Sequence, residues 1–485
     1  MAKVGIVGRE KEIAQLRKIE HSGKQEFVAI YGRRRVGKTF LVNKLLGEKL
    51  CFSFSGVYKE PKKKQLHNFA MELMSRSQQK TKTPKSWTEA FWMLEQYLES
   101  IRSKGSRLIL FFDELPWIET PKSGFIRALD YFWNHYASTH SEIMLVVCGS
   151  ATSWMVDNLI NDKGGLHNRI TSEVYLRPFT LHEMELYLKK SGFKWTRRMV
   201  AQVYMIIGGI PYYLDMLDKD LTLPANIDNL MFNPGARLKG EYKRLYASLV
   251  GRKETYTKII TLLSKHGNGL TRSDIKDQLK IASGSSLTTA LTDLVNCNFI
   301  EYRRRPNTRS RKSSGIYMLV DFFTLFHFHF MQKNDDMKDY WTKSSNTPEV
   351  TSWQGLAFER LCMAHADQIR AALHIDTIKT STFTWRSKPA GTTKKTTPGA
   401  QIDMVIERAD GMTHVCEIKF NKGLYVINKT EASKIEKRVN VYRAETNTRN
   451  GILVTLITPD GLASNAHSHI VDNCITLNAL FDTIT

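Results

Sequence analysis

A chain of 485 residues, 42% hydrophobic and 24% charged, holds enough apolar material for two to four domain cores and excludes a disordered polymer. Its formal net charge of +22 and pI near 9.6 favour a polyanionic partner, nucleic acid before any other. Six scattered cysteines, a charged opening from Lys3 to Glu12 and the lack of a bilayer-length apolar run argue against a disulfide scaffold or a membrane partner, and make the expected location cytoplasmic.

In chain order, Val4 to Glu12 leads into a helix with Ile13, Leu16 and Ile19 on one face. Phe27 to Tyr31 reads as a buried strand, and Phe40 to Leu46 as a helix. Between them lies Gly32-Arg33-Arg34-Arg35-Val36-Gly37-Lys38-Thr39, two glycines five apart followed by Lys-Thr, which matches the phosphate-binding P-loop in full. Gly32 and Gly37 permit a backbone curl whose N–H groups point at phosphate oxygens. Lys38 can reach the β- and γ-phosphates of ATP, and the Thr39 hydroxyl can ligate Mg²⁺. All eight residues are expected to contact nucleotide.

Arg107 to Glu114 continues the pattern: an apolar run describes a central parallel strand, and its acidic pair falls at the carboxyl end, where open α/β sheets bind ligands. Asp113 is suited to holding Mg²⁺ and Glu114 to polarising the attacking water. The strand Ile143 to Cys148 ends in Gly149-Ser150, which puts a hydroxyl near the γ-phosphate. Arg169 follows in a loop, where its guanidinium could contact a phosphate of its own subunit or of a neighbour in a homo-oligomer. Thr180 and Glu183 fit a capping box opening the helix Leu181 to Lys190. Gly208-Gly209-Ile210-Pro211 is a break with a rigid restart.

Gly32 to Thr39, Leu108 to Glu114, Cys148-Gly149-Ser150, Arg169 and Gly209-Ile210-Pro211 together resemble the archaeal-type ATPases, a STAND-like branch of the AAA+-related P-loop fold. The likeness covers roughly the first 250 residues. It implies that Val4 to Glu12 lies beside the nucleotide base and that Pro211 sits in a helical lid that senses nucleotide.

Further on, Tyr256 to His266, a capped helix from Leu270, and Ser285 to Asn296 give three helices. Phe299 to Pro306 and Ser314 to Leu319 then read as a hairpin, which completes a winged helix. Its basic loop supplies Arg303, Arg304, Arg305, Arg309, Arg311 and Lys312, a set suited to DNA phosphates. The third helix is rich in Ser and Thr, which favours backbone contact over base reading. Met331 to Glu349 is polar and reads as a linker.

Near the end, Ile402 to Glu407 and Thr413 to Lys419 alternate around a turn at Asp410-Gly411. Asp403 and Glu417 are equidistant from Asp410, so pairing sets them opposite one another, and period two adds Lys419 to the same face. Two carboxylates and an amine suit Mg²⁺ and water activation against a phosphodiester. Glu359, on an upstream helix, can add a carboxylate. The set resembles the PD-(D/E)XK nuclease domain that follows the winged helix in many archaeal-type ATPases.

The expected fold is therefore α/β: a P-loop parallel sheet with helical lid over 1–250, a winged helix over 251–332, a linker over 333–352 and a restriction-endonuclease-like domain over 353–485. The expected function is an ATP-binding and ATP-hydrolysing switch acting on nucleic acid, with a candidate Mg²⁺-dependent DNA nuclease as its C-terminal domain; the alternative is a signalling or scaffolding ATPase whose C-terminal domain is a catalytically silent binding module.

Overall fold

The computed structural model describes residues 5–103, 106–150, 152–160, 166, 168–247, 253–281, 284–303, 315–335, 337–387 and 400–484. The first sheet takes five parallel strands, β1 (Glu26–Tyr31), β2 (Leu50–Ser55), β3 (Leu108–Asp113), β4 (Ile143–Gly149) and β5 (Ser172–Tyr175), in the order β2-β3-β4-β1-β5. Period two divides β1 between the two faces. Phe27 and Ala29 join an aromatic core with Phe52, Phe69 and Trp87, whereas Val28 and Ile30 face the core that continues into the rest of the chain. Because β1, β3 and β4 are neighbours running in one direction, Tyr31, Asp113 and Gly149 end at the same edge.

Helices then build a lid. Thr180 caps the helix Leu181–Lys190 and forms a complete capping box with Glu183. The helix Arg197–Ile207 stops at Gly208, where φ is 65°, and Pro211 restarts the chain as the first residue of the short helix Pro211–Leu214. Gly209 permits the close approach of Phe179, since a Cβ there would stand 2.0 Å from the Phe179 carbonyl oxygen.

A second unit holds the helices Lys253–Ser264, Arg272–Leu279 and Ser285–Asn296 with an antiparallel sheet of β6 (Leu270–Thr271), β7 (Ile300–Arg303) and β8 (Ile316–Leu319), ordered β6-β8-β7. Asn296, at the end of its helix, donates to the Ser153 hydroxyl (3.2 Å) and accepts from Tyr175 (3.2 Å), joining this unit to the first sheet.

The stretch 333–352, read from its polarity as a linker, is packed. The helix Tyr340–Ser344 buries Trp341 against Phe232 and Trp353, and the next helix, Pro348–Ala364, buries Val350. The buried Asp228 carboxylate accepts from the Trp341 and Thr342 amides at 2.7 and 2.9 Å. A composition window sees the surface lysines and asparagines and misses the two anchors Trp341 and Val350.

The last sheet is mixed: β9 (Thr380–Arg386), β10 (Gln401–Arg408), β11 (Met412–Ile418), β12 (Gly451–Thr458) and β13 (Asn473–Thr476), ordered β13-β12-β11-β10-β9. β9, β10 and β11 are antiparallel, and β11, β12 and β13 parallel. The unit is clamped to the lid: Arg198 reaches Asp460 (2.7 Å) and the Asn421 carbonyl (2.6 Å), and His365 accepts from the Leu181 amide (3.0 Å). No helix among the described residues is long and apolar enough to cross a membrane.

Candidate nucleotide and carboxylate sites

The loop after β1 curls because three residues take positive φ: Gly32 at 147°, Arg35 at 76° and Gly37 at 94°. At Gly32 a Cβ would lie 2.2 Å from the Leu176 carbonyl oxygen, so only glycine fits. Arg35 holds the left-handed conformation without being glycine, a strain of the order of 1 kcal/mol that its surroundings must offset.

Lys38 begins the helix Lys38–Leu46, yet its side chain folds back, and Nζ donates to the carbonyls of Gly32 (2.9 Å) and Arg33 (3.0 Å). A buried ammonium satisfied only by neutral carbonyls is prepared to exchange them for phosphate oxygens. Beside it, the Thr39 hydroxyl donates to Asp113 Oδ2 at 2.6 Å, so the two groups expected to share Mg²⁺ are already in contact. A hydroxyl and a carboxylate oxygen on one side of a phosphate loop are the donor chemistry Mg²⁺ takes.

Glu114 sits at the next position with φ 50°, its carboxylate accepting from the Ser150 amide (3.1 Å) and hydroxyl (2.8 Å). Burial raises the Glu114 pKa, although nearby Lys38 and Ser150 act against the shift. Ser150, expected near the γ-phosphate, thus holds the candidate base. Arg169 lies exposed on a turn, its amide donating to the Leu166 carbonyl (3.0 Å). Pro211 precedes Tyr212, whose ring lies under Arg35 with Cζ 4.3 Å from its centroid.

The side chains of the three loop arginines lead elsewhere than a cofactor. Arg33 is buried and pairs with Asp321 at 2.6 Å, Arg35 pairs with Glu241, and Arg34 lies over Trp117. Their backbone amides remain part of the phosphate cradle, so the expectation that these residues bind nucleotide is corrected for the guanidinium groups of Arg33 and Arg35. The sequence held no local signal for these pairings, because the partners lie 288 residues on for Arg33 and beyond the lid for Arg35. Removing one member of such a buried pair costs about 3–5 kcal/mol.

Arg9, from the opening segment, is also buried behind the loop. It donates to the Val36 carbonyl at 3.4 Å and lies over the Phe179 ring, and burial lowers its pKa.

In the last sheet, the register Met404 opposite Cys416 carries Asp403 to Glu417 as the spacing requires. Asp403 accepts from the Ile418 amide at 3.2 Å, and Glu417 pairs with Lys419 at 2.6 Å. Burial and the Glu417 charge raise the Asp403 pKa to about 6. Burial and the Asp403 charge raise that of Glu359, on the facing helix, to about 7. Burial opposes the Lys419 charge, and Glu417 more than offsets it, so that pKa is raised.

Sequence reading missed Arg438, which projects from the helix Lys429–Thr446 and pairs with the other Glu417 oxygen at 2.5 Å. The acids therefore converge, but among the described residues no group of three or more His, Cys, Asp or Glu is poised to hold a metal. Arg438 and Lys419 supply the positive charge in that place. At the hairpin of the middle unit, Arg303 is buried and pairs with Glu301 at 2.8 Å, so its guanidinium is withdrawn from the expected DNA-contacting set. Arg304, Arg305, Arg309, Arg311 and Lys312 lie outside the described residues.

Residues 6–217 match the family model described as an ATPase domain predominantly from Archaea. That stretch resembles archaeal-type ATPase domains. The chain is 28% identical over 343 residues to an uncharacterised protein of Methanocaldococcus jannaschii, a match that covers 68% of this chain and 69% of the relative. Among solved structures it is similar to a Walker-type ATPase of Pyrococcus abyssi, 19% identical with a TM-score of 0.47, over 66% of this chain and 95% of that one. It is also similar to the ORC2 protein of Aeropyrum pernix, solved in ADPNP and ADP complexes, 14% identical with a TM-score of 0.45, over 67% of this chain and 93% of that one. The matched stretch contains the P-loop, Asp113, Glu114 and Ser150, while Glu241 and Asp321 stand beyond its end.

Proposed function

We propose that the protein binds and hydrolyses ATP and uses the cycle to move a DNA-contacting module. The observation that carries the nucleotide half is the 2.6 Å contact between Thr39 and Asp113 beside a buried Lys38 that donates to two neutral carbonyls. Lys38 transfers from the Gly32 and Arg33 carbonyls to phosphate. Glu114, held by Ser150, is the base that orients the attacking water once its carboxylate is released. Thr39 and Asp113 would hold Mg²⁺, which would supply charge neutralisation to the phosphates.

The nucleic-acid half rests on the net charge of +22 and on the middle unit, which we interpret as a winged helix with a basic wing. Its third helix exposes Ser285, Thr288, Thr289 and Thr292, groups suited to backbone contact. The convergence of Asp403, Glu417 and Lys419 supports a nuclease-like last domain, in which Lys419 would steady a developing charge.

The test is duplex DNA binding measured against salt, for wild type and for a variant with Arg304, Arg305, Arg309, Arg311 and Lys312 replaced by Ala. Salt-sensitive binding that the variant loses is expected. Binding equal in both proteins refutes the wing as the contact surface, and none in either refutes the DNA half and leaves a scaffolding ATPase. Mg²⁺-dependent cleavage by wild type that Asp403→Ala abolishes would establish the nuclease, and equal behaviour of the two would remove it.

A further inference from the structure

Two acids from beyond the matched stretch 6–217 close its phosphate loop from behind. Asp321 follows β8 and caps the helix Phe322–Phe326, accepting from the Thr324 amide at 3.0 Å. Its other oxygen takes Arg33 Nη1 at 2.6 Å, and the two side chains are only 3% and 4% exposed. Arg33 Nε and Nη2 have no hydrogen-bond partner among the described residues and lie against the Phe299 ring, Cζ 4.8 Å from its centroid. Glu241 is fully buried, pairs with Arg35 and accepts from the Tyr213 hydroxyl at 2.8 Å. Both contacts land on the loop itself, one at a residue whose carbonyl holds Lys38 and one at a residue with φ 76°.

We propose that Asp321 and Glu241 are positioning residues of the nucleotide site: both hold the loop in its phosphate-accepting curl, and Asp321 thereby ties nucleotide affinity to the placement of the middle unit. The physical reason is local. Lys38 releases the Arg33 carbonyl when phosphate arrives, and Arg33 cannot shift alone, because its guanidinium would leave Asp321 as an unpaired buried charge. Loop and capped helix therefore move together or not at all. Glu241 holds Arg35 from the other side, with Arg244 as its second partner at 3.3 Å, and so supports the left-handed backbone there. Neither acid touches nucleotide. By linkage, anything that displaces Asp321 by binding the middle unit changes ATP affinity, and ATP changes that binding by the same factor.

The inference rests on ATP binding at Lys38, and the experiment separates the two. Affinity for a fluorescent ATP analogue with Mg²⁺ is measured for wild type, Lys38→Ala, Asp321→Asn and the pair Arg33→Met with Asp321→Asn. The paired variant leaves no buried charge and retains a helix-capping side chain, so it is the control for folding. Asp321→Asn and the paired variant are each expected to bind about ten-fold more weakly than wild type, with the paired variant melting close to wild type. In wild type, ATP should also alter amide hydrogen exchange across Phe322–Phe326. Wild-type affinity in the paired variant, or no exchange change there, overturns the coupling while Lys38→Ala still binds far more weakly than wild type. Failure of wild type itself to bind overturns the nucleotide site and the coupling with it.

Discussion

Asp113 and Glu114 close β3, and Asp403 and Glu417 pair across β10 and β11, so this chain places two carboxylate sets at strand ends and treats them differently. The first set is held by exchangeable neutral groups: Thr39 donates to Asp113, and Ser150 donates to Glu114. The second is held by charge, with Lys419 and Arg438 both on Glu417. Displacing a hydroxyl leaves a group that water satisfies, whereas displacing a partly buried guanidinium breaks an ion pair. The first set can accept a metal-bound triphosphate at small cost. The second must first give up a cation.

The largest effect expected from that contrast is on hydrolysis. Glu114→Gln should lower single-turnover ATP cleavage by about 1,000-fold, within the range of a lost general base, while analogue binding stays near wild type. A variant that hydrolyses normally would place the base elsewhere and end the assignment of Glu114. Lys38→Ala should weaken ATP binding by about 100-fold, because two or more charge-assisted bonds to phosphate are lost. Equal affinities in a titration would mean that the buried ammonium is purely structural.

Between the two sets stands His365, whose Nε2 accepts from the first amide of the helix Leu181–Lys190 and whose Nδ1 donates to the Leu361 carbonyl (2.9 Å). Burial lowers its pKa from 6.5 to about 4. The folded protein thus favours the neutral ring, so the stabilisation is present above the unfolded value of 6.5 and is lost as pH falls toward 4. Its full extent is about 3 kcal/mol. The melting temperature of wild type should fall more steeply than that of His365→Gln as pH is lowered from 7 to 4.5. Parallel curves would show that the clamp does not depend on a neutral ring.

Local pattern made much of this architecture legible. The strand, loop and helix around Lys38, the acidic end of β3, the capping box at Thr180 and the 403-to-417 register all follow from spacings of a few residues, which the backbone period enforces. What stayed hidden depends on tertiary contact. Arg33 and Arg35 belong to a run that the motif assigns to phosphate, and only the folded chain shows their side chains turned toward Asp321 and Glu241. Arg438 lies 21 residues past Glu417 on a separate helix, and no periodicity links them. The stretch 333–352 looked like a connector because its polar residues outnumber Trp341 and Val350, the two that bury.

Arg438 offers the smallest expected change, and it sharpens the contrast most. At pH 8 both Asp403 and Glu359 are ionised, their pKa values being raised to about 6 and about 7. With Arg438→Ala, Lys419 still pairs with one Glu417 oxygen and the other is freed. If the set is a cation site held shut by arginine, Mn²⁺ affinity measured by calorimetry should rise about five-fold, the worth of one partly exposed ion pair near 1 kcal/mol. If it is a structural cluster, the same substitution leaves Mn²⁺ unbound and lowers the melting temperature instead, because a buried carboxylate has lost half its compensation. The sign of the effect on metal affinity therefore decides whether the second carboxylate pair is a dormant counterpart of the first or a charged joint between β11 and its helix.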